Sequence, residues 1–193
     1  MKFKVLLITV CIMIVGYTKS FSQDYAIVFD SITNTYKFNR DLNYAIGKKM
    51  CDFKAISLNG NTISNDQLIG KVTVVNLWFE GCAPCITELD FLSDLYNKYR
   101  NNRFFNFFSF TVDNVEVARK SVNKYNILFT VCPVSRELAY EMNFNFGFPT
   151  NMIINRKGEV VFFKTGGPLE KERAEKEIAK MDDIIAQLLL NEN

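Results

Sequence analysis

The sequence predicts an α/β fold in which a mixed central β-sheet carries helices on both faces, with a β-hairpin extension at the N-terminus. Two observations predict the sheet. From residue 72 onward, apolar strand-like segments alternate with helical patterns, which favours parallel pairing through helical connections. Near the end, two extended segments flank the turn at 155–158 and precede a final amphipathic helix, which adds an antiparallel hairpin to the same sheet.

Length and composition predict one compact domain and exclude several classes of protein. The chain has 193 residues, of which 48% are hydrophobic and 14% aromatic, enough for a packed core. Three of its 23 basic residues lie within residues 1–22, so the rest of the chain carries 20 basic and 21 acidic side chains. Without a basic surplus, we expect no nucleic-acid partner.

Residues 1–22 have the pattern of a signal peptide. Lys2 and Lys4 precede the apolar run 5–15, and Ser20 and Ser22 place small residues before a cleavage site at Gln23. The run is short for a membrane span, which needs about 20 residues, so an uncleaved membrane anchor is the alternative. We therefore divide the chain into a leader at 1–22, an N-terminal extension at 23–46 and a domain at 47–193, and expect membrane contact only through an uncleaved leader.

The first elements after the leader are short and extended. Residues 25–29 and 35–38 lie on either side of a polar turn at 31–34, which predicts the N-terminal hairpin. Residues 52–58 alternate apolar and polar side chains before Asn59-Gly60, a turn signal for a second hairpin. Residues 64–70 predict a short capped helix that ends at a glycine.

The later elements alternate between strand and helix. Residues 72–77 are apolar and β-branched, which is typical of a buried strand, and residues 104–112 are aromatic on both faces, which indicates a covered central strand rather than an aromatic binding surface. Helical spacing of apolar residues predicts the helices. The predicted helices are 83–100, 115–125, 136–142 and 170–190, and the other strands are 129–134, 151–154 and 159–163.

The strongest candidate site is Cys82-Ala83-Pro84-Cys85, which joins the strand 72–77 to the following helix. Two intervening residues in a first helical turn bring two sulfurs to bonding distance with little strain. Unpaired backbone N–H groups and the helix dipole stabilise an anion at Cys82, and Pro84 suits an early helical position. We therefore expect Cys82 to be the attacking thiolate and the more buried Cys85 to be the resolving thiol.

Three other roles for the cysteines stay open. Zinc would need two more ligands, and the chain has no histidine and no second C-x-x-C pair. A purely structural Cys82–Cys85 disulfide is the second alternative. Cys51 and Cys132 either form a further disulfide or stay free, while Cys11 lies inside the leader and is given no role.

Residues 47–167 resemble the thioredoxin superfamily, and in particular the exported TlpA/ResA-like thiol–disulfide oxidoreductases. Four segments are similar to that family's motifs: GKKMCDF at 47–53, like its entry strand; GKVTVVNLW at 70–78, which ends at Trp78; CAPC at 82–85 with Glu88 behind it; and GFPT at 147–150 followed by IINRKG at 153–158. The combination of the four is specific, although each alone would be weak.

The resemblance implies a thioredoxin-like fold and a site built around the dithiol. In this family Pro149 would be cis and lie beside the disulfide, and the Phe148 backbone would pair with a substrate strand. The resemblance further implies a reductase that acts on protein disulfides in the bacterial periplasm or cell envelope, such as those of apocytochrome c, and that is re-reduced by a membrane thiol carrier. No cofactor and no metal are required.

The chain departs from the family pattern at several positions. Gly81 replaces a tryptophan commonly found before the first cysteine, and Asn76 stands where thioredoxin carries a buried aspartate. The nearest acids are Glu80 and Glu88. Glu80 either handles protons at the site, or opposes thiolate formation, or is an exposed loop carboxylate, which is the commoner outcome. The role of Glu88 is similarly ambiguous.

Two rival functions remain. A peroxiredoxin-like peroxidase needs a hydroxyl residue three positions before its cysteine, where this chain has Phe79. A non-enzymatic binding or chaperone module with a structural disulfide is the other.

Overall fold

The computed structural model describes the backbone of residues 25–30, 35–40 and 41–190, and side chains from residue 41 to residue 190. The predicted leader at 1–22 and the turn at 31–34 lie outside the described residues. The chain forms two compact units, Met1–Asp41 and Leu42–Asn193. Each is described by itself below, and the predicted boundary between extension and domain at residue 46 stays a prediction.

The N-terminal unit contains the predicted hairpin. Strands β1 (Tyr25–Asp30) and β2 (Thr35–Arg40) pair antiparallel, with Tyr25 opposite Arg40. The β-hairpin extension is confirmed.

The second unit contains a mixed five-stranded sheet. Its strands are β5 (Val72–Trp78), β6 (Phe105–Thr111), β7 (Thr130–Pro133), β8 (Thr150–Ile154) and β9 (Val160–Thr165). Their order is β7-β6-β5-β8-β9, with β5–β6 and β6–β7 parallel and β5–β8 and β8–β9 antiparallel. The predicted mixed sheet is confirmed, and its central strand is the one that leads to the two cysteines.

Helices cover both faces of this sheet, as predicted. They are α1 (Ala83–Tyr99), α2 (Val115–Lys124), α3 (Arg136–Met142) and α4 (Lys171–Leu190). On one face, Leu92 of α1 and Ile185 of α4 pack with Val74 of β5. On the other face, Met142 of α3 packs with Val75, the next residue of β5. Every residue of β5 is buried because successive side chains enter opposite halves of the core.

The aromatic strand β6 contributes to both halves of the core. Phe107 stacks on Phe129 with ring centroids 4.3 Å apart on the α1/α4 side. Phe110 meets Phe53 edge-on at 5.3 Å on the other side. Burying a phenylalanine side chain contributes about 1.5–3 kcal/mol, so these residues stabilise the fold rather than form a binding surface.

The predicted entry strand at 47–53 is wrong. Strand β3 begins only at Lys54 (Lys54–Ile56) and pairs with β4 (Thr62–Ser64), which confirms the second hairpin. Before it, the side chain of Asn65 accepts from the Phe53 N–H at 2.7 Å and donates to the Cys51 carbonyl at 3.0 Å. A single side chain thereby satisfies backbone groups that a neighbouring strand would otherwise bind.

Two smaller differences concern helices. The predicted capped helix at 64–70 is one 3-10 turn, Asn65–Gln67, capped by Ser64. In the last helix, the apolar spacing predicts that Leu188 faces inward, but Leu188 is only partly buried, because it lies near the helix end. Along the stretches that the structure describes, every helix is too short or too polar to cross a membrane.

Candidate active site at the start of helix α1

The two cysteines lie at the junction between the central strand and the first helix. Strand β5 ends at Trp78, and Cys82 is the extended residue that caps α1, with φ −94° and ψ 94°. The Cys85 backbone N–H donates to the Cys82 sulfur at 3.3 Å. Pro84 occupies the first helical turn, where its missing N–H removes no helical hydrogen bond.

Cys82 and Cys85 form a disulfide, with their Cα atoms 5.2 Å apart. The Cys82 side chain retains 6% exposure and Cys85 none, so an incoming group reaches Cys82 first. Gly81 and Ala83 on either side of Cys82 are exposed, which leaves the approach to this sulfur open. The Cys82 sulfur thus lies at the N-terminus of α1, where unpaired backbone N–H groups and the helix dipole stabilise negative charge.

The Phe148–Pro149 peptide bond is cis, and it lies at the same edge of the sheet as the dithiol. A Cβ atom added at Gly167 would come within 3.3 Å of Pro149 Cγ and 3.5 Å of Pro84 Cβ, so Gly167 brings the two prolines together. The Phe148 ring meets Phe79 edge-on at 5.5 Å and Tyr140 at 5.6 Å. The structure therefore places an aromatic cluster, Phe79–Phe148–Tyr140, at the rim of the site.

A buried polar cluster lies one helical turn behind Cys85. Glu88 is only 1% exposed, and its two carboxylate oxygens each accept from the side-chain amide of Asn151 at 3.0 Å. The Asn76 amide donates to Glu88 at 3.2 Å and to Asn151 at 2.9 Å, and Ser109 donates to Asn76 at 3.0 Å. Glu88, left ambiguous by the sequence, is thus a buried acid held by neutral amides.

Burial raises the pKa of Glu88 from its ordinary value of 4.5 to about 7. The hydrogen bonds from Asn151 and Asn76 and the positive charge of Lys164 oppose this rise. A carboxyl group with a pKa near neutrality can take up and release a proton at physiological pH.

The other predicted site residues have more ordinary surroundings. Glu80 is partly exposed, its carboxylate pairs with Lys124 at 3.2 Å, and its backbone N–H donates to Asp113 at 2.7 Å. Trp78 is fully buried in the core on the α1/α4 side.

Sequence reasoning missed Asn151, Ser109 and Lys164 as parts of the site. The sequence does contain an indication of a buried polar cluster, because Asn76 and Asn151 each interrupt an apolar strand. The antiparallel pairing of β5 with β8 places these two residues directly opposite each other.

The other two cysteines among residues 41–190, Cys51 and Cys132, carry free thiols. Cys132 is fully buried, and burial raises its pKa to about 12. Cys51 is partly exposed, and burial and the nearby Glu141 raise its pKa. Neither thiol is activated for nucleophilic attack.

Two further features bear on ligands. Within residues 41–190, no group of three or more His, Cys, Asp or Glu side chains is arranged to hold a metal ion.

A cleft of about 710 Å³ lies between the β3–β4 hairpin and the end of β7, and none of its lining residues belongs to the dithiol site.

Comparison with known proteins agrees with this geometry. Residues 45–182 match the model of the Redoxin family. The thiol–disulfide oxidoreductase ResA of Bacillus cereus is 30% identical over 138 residues, which cover 70% of this chain and 78% of that protein. ResA of Bacillus anthracis is 30% identical over 120 residues, which cover 60% and 67%.

Solved structures show the same fold. A thiol:disulfide interchange protein from Bacteroides sp. superimposes with a TM-score of 0.61 at 20% identity, covering 74% of this chain and 91% of that protein. The chain therefore belongs to the Redoxin family, as a thiol–disulfide oxidoreductase with a thioredoxin-like fold.

Proposed function

We propose that the chain is an exported reductase of protein disulfides that works through Cys82 and Cys85. The observation that carries the proposal is the Cys82–Cys85 disulfide at the N-terminus of α1, with the buried carboxyl of Glu88 one turn behind it. This combination supplies a nucleophile, a resolving thiol and a proton acceptor on one helix.

The first step is attack by the Cys82 thiolate on one sulfur of a substrate disulfide. A bond forms between Cys82 Sγ and that sulfur, the substrate S–S bond breaks, and the second substrate sulfur leaves as a thiolate. Cys82, which retains 6% exposure, suits this step better than the fully buried Cys85.

The second step resolves the mixed disulfide. The Cys85 thiol gives its proton to the Glu88 carboxylate, and the resulting thiolate attacks Cys82 Sγ. The Cys82–substrate bond breaks, and the substrate sulfur that was bound to Cys82 also leaves as a thiolate. One substrate thiolate takes up the proton held by Glu88 and the other takes a proton from water. The chain has given two electrons to the substrate and is left with the Cys82–Cys85 disulfide. Residues three apart on a helix are neighbours, and this spacing supports Glu88 as the acceptor of the proton.

Substrate binding is assigned to the rim. An extended substrate segment pairs with the backbone of Phe148, beside the cis Pro149, and its side chains contact the aromatic rings of Phe79 and Tyr140. Substrates of this kind are envelope proteins with exposed disulfides, apocytochrome c among them, and a membrane thiol carrier restores the dithiol.

Trapping the mixed disulfide tests the roles of the two cysteines. A Cys85→Ser variant is expected to accumulate a covalent adduct with a disulfide peptide, visible as a mass increase without reductant. A Cys82→Ser variant is expected to form none, and Cys51→Ser, which changes a partly exposed free thiol, serves as the matched control. Adduct formation by Cys82→Ser at the rate seen with Cys85→Ser would contradict the assignment.

The reduction potential of the Cys82–Cys85 pair tests the direction of electron flow. Equilibration with glutathione should give a potential near the value of about −270 mV typical of a reductant, whereas about −120 mV would indicate an oxidant. A value well below about −300 mV would favour a structural disulfide, and peroxide consumption without a dithiol substrate would favour a peroxidase.

Export has its own test. Expression of the full chain in a bacterium, followed by fractionation and N-terminal sequencing, should give an envelope protein that begins at Gln23. A protein that keeps Met1 and is found in the cytoplasm would contradict export.

A further inference from the structure

We propose that Lys164 is a positioning residue that keeps Glu88 able to ionise beneath the disulfide, and that Glu177 on α4 limits how strongly Lys164 does so. The proposal rests on the role of Glu88 as proton acceptor in the proposed function. It assigns a role to an ion pair that lies outside the C-x-x-C motif and the cis-proline loop.

The strand register places Lys164 next to the residue that holds Glu88. In the β8–β9 pair, Lys164 lies directly opposite Asn151, whose amide donates to both carboxylate oxygens of Glu88. Side chains directly opposite on antiparallel strands lie on the same face of a sheet. Lys164 therefore shares with Asn151 the face that α1 and α4 cover.

Glu177 binds Lys164 from the helix side. The Lys164 ammonium donates to the Glu177 carboxylate, and the two side chains are 23% and 27% exposed. At this depth the pair is partly shielded from water, so its charges act over a longer range than on an open surface.

The charged side chains around the Lys164–Glu177 pair come from the helices α1 and α4, whereas the strands contribute neutral side chains. Glu88 faces it from α1, while Glu177, Arg173 and Lys180 face it from α4. Asn76 of β5, Ser109 of β6 and Asn151 of β8 are neutral. The positive charge that opposes the burial of Glu88 is that of Lys164.

Two opposing influences follow from this arrangement. Burial alone would keep Glu88 protonated and unable to accept a proton from Cys85, and the charge of Lys164 counteracts that effect. The negative charge of Glu177 cancels part of the charge of Lys164 at the same point. Neutralising Lys164 should therefore raise the pKa of Glu88, and neutralising Glu177 should lower it. A loss of packing in the two variants would not produce shifts of opposite sign.

The test is an NMR titration of the Glu88 carboxyl carbon in the oxidised protein, where neither Cys82 nor Cys85 titrates. Lys164→Gln is expected to raise the pKa of Glu88 by about one unit, and Glu177→Gln is expected to lower it. Lys164→Arg, which retains the charge, should restore the original value. Lys171→Gln is the matched control, because Lys171 lies at the start of α4 and pairs with the exposed Asp90.

Two readouts separate this proposal from the proposed function. The pH at which reductase activity is half-maximal should shift in the same direction as the pKa of Glu88 in each variant. Shifts of the same sign in Lys164→Gln and Glu177→Gln, or no shift in either, would overturn the proposal even if both variants fold. Undiminished activity in Glu88→Gln would instead overturn the role of Glu88, whatever the NMR titration gives.

Discussion

Replacing Glu88 with glutamine tests the buried acid through protein stability, independently of any substrate. Glutamine keeps the shape of the side chain and one acceptor oxygen for Asn76 and Asn151, but it carries no ionisable proton. The comparison therefore isolates the ionisation of one carboxyl group.

The magnitude follows from the pKa of Glu88, which is about 7 in the folded protein against 4.5 for an ordinary glutamate. The folded state binds this proton more tightly than the unfolded chain, so the contribution is fully present below about pH 4.5 and is lost as pH rises through about 7. At about 1.36 kcal/mol per pH unit, the loss amounts to about 3 kcal/mol.

The assay is urea unfolding of the oxidised protein at about pH 5 and about pH 8. The unchanged protein should lose more stability between these two values than Glu88→Gln, by about 2–3 kcal/mol. Asp90→Asn, on the same helix but exposed, should behave like the unchanged protein. Parallel stability curves for the unchanged protein and Glu88→Gln would refute the reasoning, because they would mean that Glu88 ionises normally.

Three further predictions concern the surroundings of the dithiol. Asn151→Leu removes the amide that donates to both carboxylate oxygens of Glu88, leaves the Asn76 amide in place, and should raise the pKa of Glu88. An NMR titration would show this rise, and an unchanged pKa would contradict the assigned hydrogen bonds. Gly167→Ala adds a methyl group 3.3 Å from Pro149 Cγ and should cost about 1–3 kcal/mol in urea unfolding; full stability would mean that the contact relaxes freely. Cys132 should resist iodoacetamide at about pH 8 until the protein is unfolded, by peptide mass mapping, and rapid labelling of the folded protein would contradict its burial.

The parts of the fold set by local patterns could be predicted from the sequence. The span of α3 is the predicted one, because Ser135 caps a helix whose apolar residues recur at helical spacing. The Cys82–Cys85 pair followed from the strand–helix junction alone. The prediction of an entry strand at 47–53 failed because Asn65, 12 residues beyond Phe53, binds the Phe53 N–H and the Cys51 carbonyl.

The buried acid could not be predicted in the same way. Helical spacing places Glu88 behind Cys85, but whether it is exposed depends on the sheet and on the segment at Gly167, whose added Cβ would lie 3.7 Å from Glu88 Oε2. Its partner Asn151 is 63 residues away in the chain, so their contact depends on the register between β5 and β8. Tertiary packing decides that register, and a local pattern carries no information about it.

Helix α1 and its capping residue carry Cys82, Cys85 and Glu88, whereas the aromatic rings and the cis proline proposed to contact a substrate come from other segments. Phe79 follows β5, Tyr140 lies in α3, and the Phe148–Pro149 bond precedes β8. A helix is a rigid unit, so the separation between the resolving thiol and its proton acceptor is insensitive to changes in those segments. On the proposed mechanism, sequence variation at Phe79 or Tyr140 would alter which proteins are bound without altering the proton transfer between Cys85 and Glu88. The reacting residues would then stay fixed on one helix while the proposed binding surface varies. Homologous chains could in this way bind new substrates and keep the same reaction.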